Sequence, residues 1–68
     1  MRKTAHPKDI VAFLERHGFR VSSRKGSHVV YRHDDGRRTA VSMHSKELKK
    51  GTLHAILKDI GMTLDEFD

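Results

Sequence analysis

The stretch His28-Val29-Val30-Tyr31-Arg32-His33-Asp34-Asp35-Gly36-Arg37-Arg38-Thr39-Ala40-Val41-Ser42-Met43 decides the fold. Its first six residues are rich in β-branched and aromatic side chains, which suit a strand. Asp34-Asp35-Gly36 is a hairpin signal. Arg38 to Met43 then reads as the returning strand, with Thr39, Val41 and Met43 on one face. Just upstream, Phe19-Arg20-Val21-Ser22-Ser23 alternates apolar and polar as a strand does. Polar Arg24-Lys25-Gly26-Ser27 joins it to His28 as a loop or hairpin turn. Connections this short make the three strands an antiparallel meander.

Helical spacing appears on both sides of the meander. Ile10, Phe13, Leu14 and His17 fall at i, i+3, i+4, i+7, and Val11 widens that face. Pro7 suits a first helical position, Asp9 complements the helix dipole in the first turn, and Gly18 suits a C-terminal cap. The spacing predicts a helix over residues 7–17. After a polar link from His44 to Gly51, Leu53, Ile56, Leu57 and Ile60 repeat the pattern, with Thr52 as the expected N-cap and Gly61 as the end. Thr63-Leu64-Asp65-Glu66 has the form of a capping box, so a short third helix begins there with Phe67 behind it.

The order is α-β-β-β-α, an α+β fold: a three-stranded antiparallel sheet with its helices on one face. One face of such a sheet is dry and the other wet. Phe19, Val21, Val29, Tyr31, Val41 and Met43 are expected beneath the helices, leaving His28, Val30 and Arg32 on the open face. A slip of one residue would reverse that assignment.

A chain of 68 residues makes one small domain, residues 1–68. A unit of this size buries only about 60% of the surface its unfolded chain exposes, which rules out a deep enclosed cofactor cleft. No cysteine is present, so disulfides, thiolate nucleophiles and cysteine-type zinc sites are excluded. Fourteen Lys/Arg against nine Asp/Glu gives +5 with histidine neutral. That excess points to an anionic partner, nucleic acid before a membrane surface. No apolar run reaches the roughly 18 residues of a membrane span, and the basic start Met1-Arg2-Lys3-Thr4-Ala5-His6-Pro7 lacks the apolar stretch of a signal peptide. A cytoplasmic protein is expected.

The unusual feature is six histidines: His6, His17, His28, His33, His44 and His54. Histidine takes and gives a proton near neutral pH, with an unperturbed pKa of about 6.5. His17 closes the apolar face of the first helix and reads as a partly buried packing residue. His6 and His54 read as solvated. His28 differs, because it opens a strand after a basic turn: Arg24 and Lys25 can hold phosphate, Gly26 lets a backbone approach closely, and Ser27 can hydrogen-bond the imidazole or a phosphate oxygen. On pattern alone His28 stands between a catalytic role and an ordinary surface histidine. His44 closes the third strand and is an auxiliary candidate near the same end of the sheet. A metal site is a weaker option: no histidine pair has the i, i+4 spacing of a zinc-binding helix, although His33 and His44 could meet across a hairpin. No metal and no cofactor are expected. Lys46, Lys49 and Lys50 precede the second helix, whose N-terminus adds free N–H groups that suit phosphate.

With Lys25-Gly26-Ser27-His28 opening the second strand, this order of elements resembles the HicA family of bacterial toxins. The resemblance extends through Gly36-Arg37-Arg38, Val41, His44 and the run Lys46-Glu47-Leu48-Lys49-Lys50-Gly51-Thr52-Leu53-His54-Ala55-Ile56-Leu57-Lys58, and covers the chain from about Ile10 to Gly61. One departure is Ser42, where the family commonly has proline. The resemblance implies a double-stranded-RNA-binding-domain-like fold, an mRNA-cleaving ribonuclease and neutralisation by a partner antitoxin, HicB. It also implies that His28 is the catalytic histidine.

The expected function is therefore a toxin that acts as a metal-independent endoribonuclease. His28 would be the catalytic base, with RNA contacts from Arg24, Lys25, Gly26, Ser27, Lys49 and Lys50. The rival is a non-catalytic module that grips duplex RNA by shape and phosphate. A third reading is a protein whose main task is to occupy another protein.

Overall fold

The computed structural model describes residues 4–67. The basic start expected at Met1-Arg2-Lys3, and the final Asp68, lie outside the described residues. Eight elements follow one another: β1 (Thr4–Ala5), α1 (Pro7–Arg16), β2 (Arg20–Lys25), β3 (His28–Arg32), β4 (Arg38–Ser42), β5 (Leu48–Lys49), α2 (Lys50–Asp59) and α3 (Leu64–Phe67). The expected α+β architecture is present. β2, β3 and β4 form an antiparallel sheet in that order, with α1 and α2 on one face.

Two hairpins set the register. Between β2 and β3 only Gly26 and Ser27 turn, and the flanking residues Lys25 and His28 are paired. Gly26 has φ +60° and, among the described residues, none other than glycine takes positive φ, so this is a type II′ turn, whose first central position calls for glycine. Arg24 and Lys25, expected in the loop, belong to the strand because so tight a turn lets the ladder run to its foot. Between β3 and β4 the Gly36 N–H donates to the His33 carbonyl at 3.0 Å and the His33 N–H to the Arg37 carbonyl at 2.8 Å. Pairing then runs Arg32 to Arg38, Tyr31 to Thr39, Val30 to Ala40, Val29 to Val41 and His28 to Ser42.

Ile10, Phe13 and Leu14 of α1, Leu53, Ile56 and Leu57 of α2, and Ile60 at its end bury against Phe19, Val29, Tyr31 and Val41. Val21 and Met43 depart from expectation, at 53% and 38% exposed. Both helices pack mainly on β4, so β2 is an uncovered edge and all six of its residues are exposed. Met43 lies beyond the end of β4. His17 is also exposed rather than partly buried, yet its ring rests against Phe13 with centroids 4.4 Å apart.

The third helix forms as the capping box predicts. Thr63 N–H donates to Glu66 Oε1 at 3.2 Å and Glu66 N–H to Thr63 Oγ1 at 3.3 Å. Phe67 completes it by packing edge-on against Phe13 at 5.3 Å. α2, in contrast, starts before the expected Thr52 cap: Lys49 is the N-cap and Lys50 the first helical residue. The cause is a two-stranded ribbon that the sequence does not reveal. Thr4 pairs with Lys49 and Ala5 with Leu48, which holds Lys49 extended until the helix begins.

Arg37 fastens the second hairpin to the helical layer. Its guanidinium donates to the Ile60 carbonyl at the end of α2 at 2.6 Å and to Asp35 Oδ2 at 2.8 Å, and lies 5.2 Å from the Phe19 ring centroid. The Arg37 N–H donated to Asp35 holds that carboxyl below the usual carboxylate range, aided by the guanidinium. Because the folded value is lowered, this contribution to stability is present above the ordinary carboxylate pKa. It is lost as pH falls through the lowered value.

Two stability predictions follow from these contacts. Arg37→Ala should cost about 1–2 kcal/mol, through the partly buried bond to Ile60 and the contact with Phe19. A urea midpoint equal to wild type would show that the latch carries no net stability. Gly26→Ala should cost about 1–2 kcal/mol because the left-handed backbone strains an L side chain, while Gly51→Ala in α2, with open space around its Cα, should be stabilising by about 0.5 kcal/mol. Equal midpoints for the two variants would contradict the turn assignment.

Candidate functional site

Directly paired residues in an antiparallel ladder share a face. Lys25, His28 and Ser42 are therefore neighbours across all three strands, on the face that the helices leave open. His28 and Lys25 are exposed and Ser42 is half-buried. Among the described residues no side-chain hydrogen bond or ion pair engages His28 or Lys25, so imidazole and ammonium are both free to meet a ligand. Ser27, half-buried in the turn, accepts the Met43 N–H on its carbonyl at 2.8 Å, which locks the chain leaving β4 against the turn that carries His28. His44 is the next residue and stays at this end of the sheet, exposed.

Arg24 separates from the others. It pairs with Val29, whose side chain is in the core, so it points to the helix side. Its charge is felt there: burial pushes the Tyr31 phenol up, the Glu15 carboxylate of α1 adds to that, and Arg24 partly opposes it. The expected pairing of Arg24 with Lys25 as one phosphate clamp is thus split between two faces by the strand alternation.

His33 and His44 do not meet across a hairpin. They sit beyond opposite ends of the β3–β4 ladder. His33 instead packs its ring on Phe19 at 5.2 Å and accepts the Asp35 N–H at Nδ1. It also crowds Gly18, where an added Cβ would lie 3.1 Å from Nε2. Among the described residues no three or more His, Asp or Glu side chains are grouped so that they could hold a metal ion.

Lys49 and Lys50 are exposed at the start of α2, where the first N–H groups of a ten-residue helix are unsatisfied. Their position depends on two contacts that sequence reasoning missed. One is the β1–β5 ribbon. The other is His6, expected to be simply solvated, whose Nδ1 lies 2.8 Å from the Lys46 carbonyl and so donates to it. Ser42, beside His28, was also missed as a site residue. The hairpin turn at Asp34-Asp35-Gly36 was the available signal, since counting outward from it pairs residue 42 with 28.

Comparison with known proteins adds a family to this geometry. The family model described as "HicA toxin of bacterial toxin-antitoxin" matches residues 7–62, from the first residue of α1 to just past α2. No curated protein matches the chain. No helix among the described residues is long and apolar enough to cross a membrane. With the match spanning the whole sheet and both main helices, the chain belongs to the HicA family, the toxins of bacterial toxin–antitoxin systems.

Proposed function

We propose that this toxin is an endoribonuclease that cleaves mRNA and that His28 is its catalytic base. What carries the reading is the adjacency of Lys25, His28 and Ser42 on the open face, with the His28 side chain exposed and unengaged among the described residues. RNA brings its own nucleophile, so one histidine is enough to start the reaction without a metal. His28 removes the proton of a 2′-hydroxyl, and the resulting alkoxide attacks the adjacent phosphorus. The P–O bond to the 5′ oxygen breaks, leaving a 2′,3′-cyclic phosphate and a 5′-hydroxyl. His44 or a water protonates the leaving oxygen. Lys25 offsets the negative charge that grows on the phosphoryl oxygens. Gly26 and Ser27 shape the approach, and Lys49 and Lys50, with the free N–H groups of α2, bind a neighbouring phosphate. Arg24, on the other side of the sheet, has at most a long-range part in this. DNA lacks the 2′-hydroxyl, so it should bind without being cut.

The partner of such a toxin is an antitoxin, and we take it to be a HicB-type protein. An open-face site is restrained most directly by a molecule laid over it. The contacting surface of that molecule should be acidic, since complementary charge speeds association.

Three tests apply. His28→Ala should abolish cleavage of labelled RNA in excess EDTA while circular dichroism stays unchanged, because an exposed strand residue contributes little stability. Wild-type cleavage by the folded variant would remove the assignment, and retention of RNA without cleavage by the wild-type protein would favour the non-catalytic binding module. Lys25→Ala and Lys50→Ala should each flatten the slope of log K against log salt by about 0.7, the value for one phosphate contact on a single strand. Slopes unchanged in both variants would put the RNA elsewhere. His28→Ala should still bind the antitoxin in a pull-down, one imidazole being a small part of an interface of roughly 1,600 Å². No complex with either form, while wild-type cleavage persists in the antitoxin's presence, would leave a ribonuclease without this partner.

A further inference from the structure

At the end of the open face away from His28, the register sets three arginines in one row. Arg20 pairs with Arg32, and Arg32 pairs with Arg38. All three are exposed. Like charges directly opposite one another destabilise a sheet, and here two such pairs share the central Arg32. Among the described residues none of the three has a carboxylate partner: Asp35 is held by Arg37, and the Asp59 carboxylate accepts from Thr39. Two shallow hollows flank the row. One, of about 330 Å³, is lined by Arg20, Ser22, Arg32, His33 and the carboxylate Asp34, with Val21. The other, of about 310 Å³, is lined by Val30, Arg38, Thr39, Ala40 and Asp59. Three guanidinium groups against two carboxylates, Asp34 and Asp59, leave a net cationic rim.

We propose that the Arg20–Arg32–Arg38 row is a second phosphate-binding subsite, which holds the RNA backbone a few nucleotides away from the bond cut at His28. The proposal rests on the reading of His28 as the cleavage centre and adds the path the substrate takes from it. Arg32 and His28 lie on the same strand and the same face, four residues apart, which is about 13 Å at the rise of a β-strand. Between them the face is low: Val30 and Ala40 are paired there and present only small apolar side chains. A strand of RNA leaving His28 along β3 crosses that apolar strip and meets the arginines next. Guanidinium forks bind phosphate oxygens in pairs, and a phosphate between neighbouring arginines relieves the repulsion that the bare sheet carries. The subsite would give the toxin a preference for substrates long enough to reach it and would fix the direction in which RNA lies on the sheet.

The test compares wild type with Arg20→Ala/Arg32→Ala/Arg38→Ala and with the corresponding triple lysine variant. Binding is measured against a 2′-deoxy oligonucleotide long enough to span the sheet, which needs no catalysis. The alanine variant should lower the magnitude of the salt slope by about 2, from three lost contacts on a single strand, and the lysine variant should keep the wild-type slope. In cleavage assays the alanine variant should raise KM for a long RNA on the order of tenfold with kcat held, and leave kcat/KM for a dinucleotide unchanged. Its Tm should equal or exceed that of wild type, since repulsion is removed. An unchanged salt slope and KM would overturn the subsite, as would an equal loss on the long RNA and the dinucleotide. Loss of antitoxin affinity with the RNA slope intact would assign the row to a protein contact and also overturn it. His28→Ala run in parallel separates the two ideas: it should bind the deoxy strand with the wild-type slope, and wild-type cleavage by it would remove the cleavage centre without altering the binding result for the arginines.

Discussion

The molecule depends on the register of the β3–β4 hairpin. The turn at Asp34-Asp35-Gly36 brings Arg38 opposite Arg32, and each later pair is set by that first one, down to His28 opposite Ser42. A one-residue slip would turn one of the two strands over against the other, sending either Val29 and Tyr31 or Thr39 and Val41 to water. Arg37 protects this register from outside the sheet. Its guanidinium ties the turn to the end of α2 and covers Phe19, so the hairpin and the helical layer hold each other in place.

On that frame the charge is distributed by face. The helices cover one side and lean toward β4, which leaves β2 as an exposed edge. Exposed edges invite unwanted pairing, and charged side chains together with bulges are common protections. β2 has both: Arg20, Arg24 and Lys25 along its length, and a register shift between Val21 and Ser23. Two of these, Arg20 and Lys25, also suit a polyanion lying on the open face, whereas Arg24 points to the helix side. Part of the set that keeps the edge from aggregating thus makes the face attractive to nucleic acid.

A second, smaller device positions the basic segment before α2. The β1–β5 ribbon and the bond from His6 to the Lys46 carbonyl pin the chain on its way from β4 to α2. Without them the link from His44 to Lys49 would be free, and the lysines at the helix start would sweep a wide volume. With them, Lys49 and Lys50 stand at a fixed helix N-terminus, the geometry in which backbone N–H groups and ammonium charges act on the same anion.

Local patterns in the sequence determined most of the architecture. The helical spacing of Ile10, Phe13 and Leu14 and of Leu53, Ile56, Leu57 and Ile60, the turn chemistry of Gly26 and of Asp34-Asp35-Gly36, and the Thr63–Glu66 box each act within a few residues, so each can be read without the rest of the chain. The nearness of Lys25 to His28 was legible for the same reason, since the basic turn leads straight into the strand, but their pairing across a two-residue turn came only with the ladder. Tertiary structure alone decided what depends on contacts between distant segments. Thr4-Ala5 is too short for any period to show and becomes a strand only by pairing with Leu48-Lys49, which in turn moved the start of α2 ahead of Thr52. Val21 alternates correctly for the dry face yet is exposed, because the helices settled over β4 rather than β2. The shift at Val21/Ser23 is the sharpest case. Continued without it, the register of the first hairpin would set Val21 opposite Arg32 and turn Arg20 toward the helices. With it Arg20 joins Arg32 and Arg38 on the open face, because a side chain's face follows the residue it pairs with, and a bulge changes that partner without changing the sequence pattern.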